Sequence, residues 1–557
     1  MAKRFSAQRA LQLILEEREA FDDDVEEEVS ECEDHISENS ESDSDFEEED
    51  EIEHQLVPKR RRAPGPARQQ PAPGPTCQQP APGPEQARQQ LARCNQGRNA
   101  TRNAIQKIIL DCTNLEGRRV FGERWKEMDQ THLHAYFGVF RSKGESTESL
   151  WDAENGRKPF SATMSLENFH IISRIIRFDN RDDRPARRQR DKLAAIRTVW
   201  DKWVHRLPLF YNPGPNVTID EQLMPFRGRC PFRQYIPSKP AKYGIKIWAA
   251  CDATSSYAWN LEVYTGKPDG GAPEKNQGMR VVLDMTQGLS GHNITCDNFF
   301  TSHKLGQELL KRKLTMVGTI RKNKSELPPP LLTTKNRRVK SSKFVYTADT
   351  SLVSYVPKKG KNVVLMSTLH RDGRICGQEH QKPEIIMDYN ATKGGVDNMD
   401  KLVTAYSCKR RTLRWPLVIF FDILDISAYN AFVIWMALNP EWNRGKLQRR
   451  RLFLEELGKA LMRPQIQRRQ HVPRTPASAV IMRRIQEENA GAPSTRPTEP
   501  PSAEPEVCVS NKKERCEVCG PKMDRKTQYT CIKCKKYICN THTHVMERVG
   551  DIVQDAM

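Results

Sequence analysis

Four aspartates in three short islands carry the most distinctive chemistry in this chain. They are Asp220 in "VTIDEQ", Asp297 in "ITCDNFF", and Asp397 with Asp400 in "GGVDNMD". Carboxylate oxygens are the natural ligands of hard cations such as Mg²⁺ or Mn²⁺, which keep coordination places for water and phosphate oxygens. Two such ions about 4 Å apart activate an attacking oxygen and stabilise the leaving one in an in-line phosphoryl displacement. The same residues have a plainer reading. Asp-x-x-Asp behind two glycines suits a helix start, with Asp397 as N-cap and Asp400 favoured by the helix dipole. Asp297 before Asn298 likewise suits the cap of a following helix. Spacing alone leaves both readings open.

Either reading needs rigid elements beneath the acids. In "VTID", Val217 and Ile219 face one side of a strand while Thr218 and Asp220 face the other. Asp397 and Asp400, three apart, share one face of a helix. The pieces "NVTIDEQ", "YGIKIWAACDA", "AWNLEVYTG", "HNITCDNFF" and "LTMVGTIR" read as strands, with "TSHKLGQELLKRK" a helix between the last two. That order predicts a mixed α/β sheet over 208–322. A helical region precedes it (94–207). A β-rich insertion over 323–385 follows, and then a helical return over 386–470 that contains the apolar "WPLVIFFDILDISAYNAFVIWMALN".

The flanks differ in kind. Residues 1–57 include a stretch, Asp22 to Glu53, with 19 acids and no Lys or Arg, too charged and too polar to build a core. Since the chain carries a net +18, the remainder holds +37, which suits a polyanion such as nucleic acid, although a generic basic protein has the same balance. Residues 58–93 combine "PKRRR", a pattern of nuclear localisation signals, with a Pro-rich nine-residue tandem repeat of linker character. No run of 18 apolar residues and no signal-peptide start stand out, which predicts an intracellular chain without a membrane partner. A second linker, 471–507, leads to 508–557. There Cys516, Cys519, Cys531, Cys534, Cys539, His542 and His544 follow a CxxC…CxxC spacing that predicts Zn²⁺. A segment so poor in apolar residues needs the metal to fold.

The wording of the islands is more specific than their spacing. "TIDEQLMPFRGRCPFRQYIPSKPAKYGIKI", "NITCDNFFTSHKL", "VGTIRKNKSELP" and "DYNATKGGVDNMDKL" with "RRTLRWPL", in this order, resemble the piggyBac transposase family over roughly residues 100–450. The resemblance implies an RNase H-like core split by an insertion. It implies a catalytic triad of Asp220, Asp297 and Asp397 holding Mg²⁺ or Mn²⁺, with Asp400 beside it. It also implies cut-and-paste transposition of double-stranded DNA with joining at TTAA, a homodimer built with the helical 94–207 region, and action in the nucleus on no small-molecule substrate. A non-catalytic DNA-binding protein derived from such a transposase is the alternative. In the family the C-terminal module is a cross-braced pair of zinc sites. Here Cys516, Cys519, Cys539 and His542 complete one site, while Cys531, Cys534 and His544 lack a fourth partner.

Two basic stretches suit DNA phosphates: Arg227, Arg229, Arg233, Lys239 and Lys242 in the first, and Lys409, Arg410, Arg411 and Arg414 in the second. Trp415 suits a base-stacking or wedging role, or equally a place in the core. The charge split generates a first test. Removing residues 1–57 is expected to strengthen non-specific DNA binding at low salt, with the difference fading at high salt. Equal affinities of full-length and trimmed chains in a low-salt titration would show that the acidic tail does not compete with phosphate.

Overall fold

A computed structural model describes residues 104–139, 145–237, 239–266, 274–376, 381–488, 507–515, 526–531 and 537. The acidic tail, the basic signal and the Pro-rich linker lie outside the described residues. So do the second linker apart from 471–488 and 507, and all the expected zinc ligands but Cys531.

Short helices form the first third of the described chain, each with a recognisable start and an apolar face. Helix Leu166–Ile175 begins at Ser165, whose hydroxyl accepts the Asn168 N–H, and buries Phe169, Ile172 and Ile175 at helical spacing. Helix Arg197–Val204 buries Val199, Trp200 and Trp203, and the Trp203 indole donates to Ser427 at 2.9 Å. Ionic ties close the seams between these helices. Arg177 pairs with the buried Glu116 at 2.6 Å, and Arg184 and Arg187 both grip Asp179.

The sheet that follows has nine strands: β1 (Asn216–Pro225), β2 (Arg233–Tyr235), β3 (Tyr243–Asp252), β4 (Ala258–Val263), β5 (Asn293–Cys296), β6 (Thr315–Thr319), β7 (Ser342–Tyr346), β8 (Ser351–Lys358) and β9 (Lys361–Ser367). The spatial order is β2-β3-β1-β5-β6-β9-β8-β7, and β4 shares the outer edge of β3 with β2. β1 runs antiparallel to β3 and parallel to β5, and β5 is parallel to β6 across the helix His303–Lys311. β6 pairs antiparallel with β9 through Val317↔Ser367. The strands of 323–385 therefore extend the same sheet rather than forming a separate one. Long-range pairing of this kind leaves no local trace in sequence.

Helix Trp415–Leu438 packs into the core and is the one described helix long and apolar enough to cross a membrane, with a mean hydropathy of 1.9. Asp422 and Asp425 interrupt it, so it contains no unbroken run of 18 apolar residues, and most of its apolar stretch is buried inside the protein. Its polar side chains find partners inside the protein: Asn430 exchanges two hydrogen bonds with the Ala258 backbone, and Ser427 accepts from Trp203. It serves as a core helix.

Helix Gly395–Ala405 docks on the sheet at very close range. Thr218 donates to the Thr392 carbonyl at 2.5 Å, and Thr295 on β5 donates to the Thr392 hydroxyl at 2.7 Å. A Cβ on Gly395 would stand 2.5 Å from Thr218 Oγ1 and 2.9 Å from its Cβ. The second of the two glycines is thus required by approach, not by turn geometry. Residues 507–515 and 526–531 form a separate antiparallel hairpin with a shift in register.

Gly395→Ala is expected to destabilise the protein by about 1–2 kcal/mol, the cost of overpacking outweighing the better helix propensity of Ala. Thr218→Ala in the same chain should recover part of that loss. Urea unfolding reads both, and an unchanged or higher stability of Gly395→Ala would show that the helix does not sit this close.

Candidate active site

Alternation along β1 builds the site. Thr218, Asp220 and Gln222 lie on one face of the strand, and the segment 392–400 runs over that face. Thr218 holds Thr392 at one end, and Gln222 Nε2 donates to Asp400 Oδ1 at 3.1 Å at the other. Ile219 and Cys296 are the last pair between β1 and β5, so Asp297, just past the end of β5, falls beside Asp220, which continues within β1 opposite Ala249 of β3. Asp297 is held further by its own turn. Its carboxylate accepts the Phe299 N–H at 2.9 Å, while Phe299 stacks on Trp248 and Phe300 meets the same ring edge-on.

The capping readings do not hold. Gly394 is the N-cap of Gly395–Ala405, and Asp397 is the third helical residue, its side chain 63% exposed. Ser302, not Asp297, caps the helix His303–Lys311 by accepting the Leu305 N–H.

Electrostatics confirm that the acids share one neighbourhood. Burial pushes the Asp220 carboxyl well above the usual range, and the negative charges of Glu221, Asp297 and Asp397 push it the same way. Asp297 is pushed up to about 6, first by burial and then by Glu221. Asp400 is raised by burial against the pull of Gln222 and Lys239. Crowded carboxylates of this kind call for positive charge. Lys239 supplies some of it, lying 3.8 Å from Glu221 and 3.9 Å from Asp397. Lys246, stacked over the Trp248 ring, lies 3.6 Å from the other Glu221 oxygen. The donor set is all oxygen and under-neutralised, so Asp220, Asp297 and Asp397 fit a hard divalent cation. Among the described residues, however, no three or more His, Cys, Asp or Glu side chains stand close enough together to hold a metal ion as they are placed.

Glu221, Gln222 and Lys246 are absent from the set that sequence reasoning selects. The signal for the first two lay in "DEQ" itself, since alternation puts Gln222 on the face of Asp220.

The basic residues divide. Arg227, Arg229, Lys242 and Arg411 are exposed. Arg233, also exposed, donates to the carbonyls of Arg227 at 2.9 Å and Gly228 at 3.0 Å, and so shapes its own loop. Lys239 belongs to the acids. Lys409 donates to the Pro225 carbonyl, and Arg410 reaches the Glu145 carbonyl at 3.4 Å. Arg414 is turned inward, donating to the carbonyls of Ser173 (3.1 Å), Arg174 (3.2 Å) and Ile176 at the end of helix Leu166–Ile175. A cation there satisfies carbonyls the helix itself leaves unpaired. Trp415 is half-buried and meets Phe232 edge-on at 5.0 Å, which corresponds to its core reading. The ligand positions Cys516, Cys519, Cys534, Cys539, His542 and His544 lie outside the described residues. Cys531 closes the second strand of the C-terminal hairpin.

The carboxylates thus gather on a mixed sheet, one within β1 and one just past the end of β5, with two more on a helix laid across β1. The family described as Transposase IS4 (DDE_Tnp_1_7) matches residues 102–432. A solved piggyBac transposase, in a synaptic complex with hairpin DNA, superposes with a TM-score of 0.64 and 32% identity over 83% of this chain and 96% of that one. The chain belongs to the piggyBac transposase family. Among curated human (Homo sapiens) proteins, PiggyBac transposable element-derived protein 3 is 25% identical over 291 residues, 48% of each chain. PiggyBac transposable element-derived protein 2 is 27% identical over 302 residues, 50% of this chain and 48% of that protein. The chain thus spans about half the length of these curated relatives. The family implies a catalytic site dependent on divalent metal.

Lys239 and a divalent cation would neutralise the same carboxylates. Lys239→Met is therefore expected to raise Mn²⁺ affinity about fivefold, equivalent to about 1 kcal/mol for a partly exposed pair. Calorimetric titration of Mn²⁺ checks this, and unchanged affinity would mean that Lys239 does not compete.

Proposed function

We propose that this chain is a cut-and-paste DNA transposase whose nicking and joining steps all take place at Asp220, Asp297 and Asp397. The observation that carries the reading is the register of β1 with β5, which brings Asp220 and Asp297 together beneath the helix bearing Asp397. The strand order β4-β3-β1-β5-β6, antiparallel and then parallel, supports an RNase H-like core.

Bound divalent metal would supply an activated attacking oxygen and stabilisation of the leaving one. Asp220 within β1, Asp297 just past β5 and Asp397, the most exposed of the three, would hold it. Asp400 adds negative charge on the same helix face and is fastened to Gln222. Lys239, 3.9 Å from Asp397, would exchange a carboxylate partner for a phosphate oxygen of bound DNA. Arg227, Arg229, Lys242 and Arg411 offer exposed positive charge for the flanking phosphates. One site of this kind serves three displacements in turn: a nick at the element's end, attack of the freed 3′-OH on the opposite strand to give a hairpin, and joining at TTAA. The reading includes a homodimer acting in the nucleus, with Zn²⁺ in the 508–557 module.

The test is Asp397→Asn, which preserves shape while removing a charged oxygen. Nicking of a matching terminal DNA in Mg²⁺ or Mn²⁺ should fall at least about 100-fold, a loss of roughly 2.7 kcal/mol in the barrier term. Melting temperature and DNA affinity should change little, because Gly394 rather than Asp397 caps the helix. Wild-type protein that binds this DNA but never nicks it would instead mark a domesticated, binding-only descendant.

A further inference from the structure

Behind the acid site lies a second polar layer that the phosphoryl-transfer reading does not use. Gln222 is 2% exposed, and its amide N–H₂ group divides between two carboxyl groups on two helices, Asp400 Oδ1 at 3.1 Å and Asp422 Oδ1 at 3.2 Å. Asp422 is 7% exposed, within the most apolar of the described helices. A buried carboxyl group at such a place costs several kcal/mol if ionised. Burial, with Asp425 and Asp400 near, pushes Asp422 up to about 8, which favours its neutral form. Gln222 Oε1 and Asp422 Oδ2 have no protein partner, and both residues line a pocket of about 40 Å³ shared with Asp400, Ser407, Lys409 and Asp425. That is room for a water and little more.

We propose that Gln222 and Asp422 are positioning residues for Asp400, the Gln222 amide being clamped from behind by Asp422 so that Asp400 is fixed against the strand carrying Asp220. The chemistry of the amide explains the arrangement. A glutamine has two N–H donors on one nitrogen, so holding Asp422 with one sets the direction of the other. Without Asp422 the amide is free to turn its carbonyl oxygen toward Asp400 and repel it. Asp425 does not share this task, since its carboxylate is committed to the Ser407 hydroxyl at 2.6 Å and the Cys408 N–H at 2.8 Å.

The inference rests on the phosphoryl-transfer reading, and its test separates the two. Mn²⁺ binding to the full-length chain is measured by electron paramagnetic resonance, with the melting temperature recorded for every variant. Gln222→Leu and Asp400→Asn are each expected to weaken Mn²⁺ binding about tenfold, and the double variant to be no weaker than the poorer single one, as for two residues acting as a unit. Asp422→Leu should weaken binding similarly, while Asp422→Asn, which keeps a neutral acceptor at Oδ1, should restore it. That pair decides the matter even if Gln222→Leu fails to fold. Wild-type affinity in Gln222→Leu, full additivity in the double variant, or equal loss in Asp422→Asn and Asp422→Leu would overturn the positioning role alone. A wild-type chain that binds no Mn²⁺ would overturn the phosphoryl-transfer reading, and this inference with it.

Discussion

The approach of Thr392 and Gly395 to Thr218 is the contact on which the site depends. It sets a helix on one face of β1 at backbone distance, which only glycine permits. From there the periods of strand and helix do the rest. Two residues along β1 is about 6.6 Å, and three or four along the helix is about 5 Å, so the two rows stay in step for a few positions. Thr218, Asp220 and Gln222 therefore meet residues 392–400 as a ladder. Moving the strand by one residue would turn Asp220 away from the helix and bring Glu221 to its place.

How much of this could be read beforehand follows from what each residue needs. Asp220, Asp297 and Asp397 stood out because they sit in islands bounded by strand or turn signals, and the alternation in "VTID" gave Asp220 its face. The helical N-terminal region and the strands of the sheet were legible from apolar periodicity. The pairing of β6 with β9 was not, because strands about fifty residues apart share no local pattern. Asp422 was hidden for a different reason. It lies in a helix whose composition announces burial, and a lone acid there gives no sign of the glutamine 200 positions away that meets it.

Charge shows a similar gap between composition and position. A large positive balance suits nucleic acid, yet the individual cations of the two basic stretches are spent unequally. Arg414 satisfies three carbonyls at a helix end, and its own pKa is lowered to about 10, first by burial and then by Arg177. Arg233 folds its loop. Composition counts both as DNA-binding charge, and geometry makes both structural.

The acids and cations of the site form a balance that is incomplete by design of the fold. Desolvation raises Asp220 and Asp297, and Glu221 adds further repulsion from the strand's other side. Lys246 is drawn to Glu221, while Lys239 lies between Glu221 and Asp397 and offsets both. For Lys239, burial works against the charged form, but Glu221, Asp220, Asp397 and Asp400 together outweigh it and raise its pKa. It is thus a firmly charged group reaching the cluster from a loop, while the aspartates sit within β1, at the end of β5 and on a docked helix. Rigid anions and a cation on a loop make an arrangement in which the positive partner can be exchanged while the ligands stay in place.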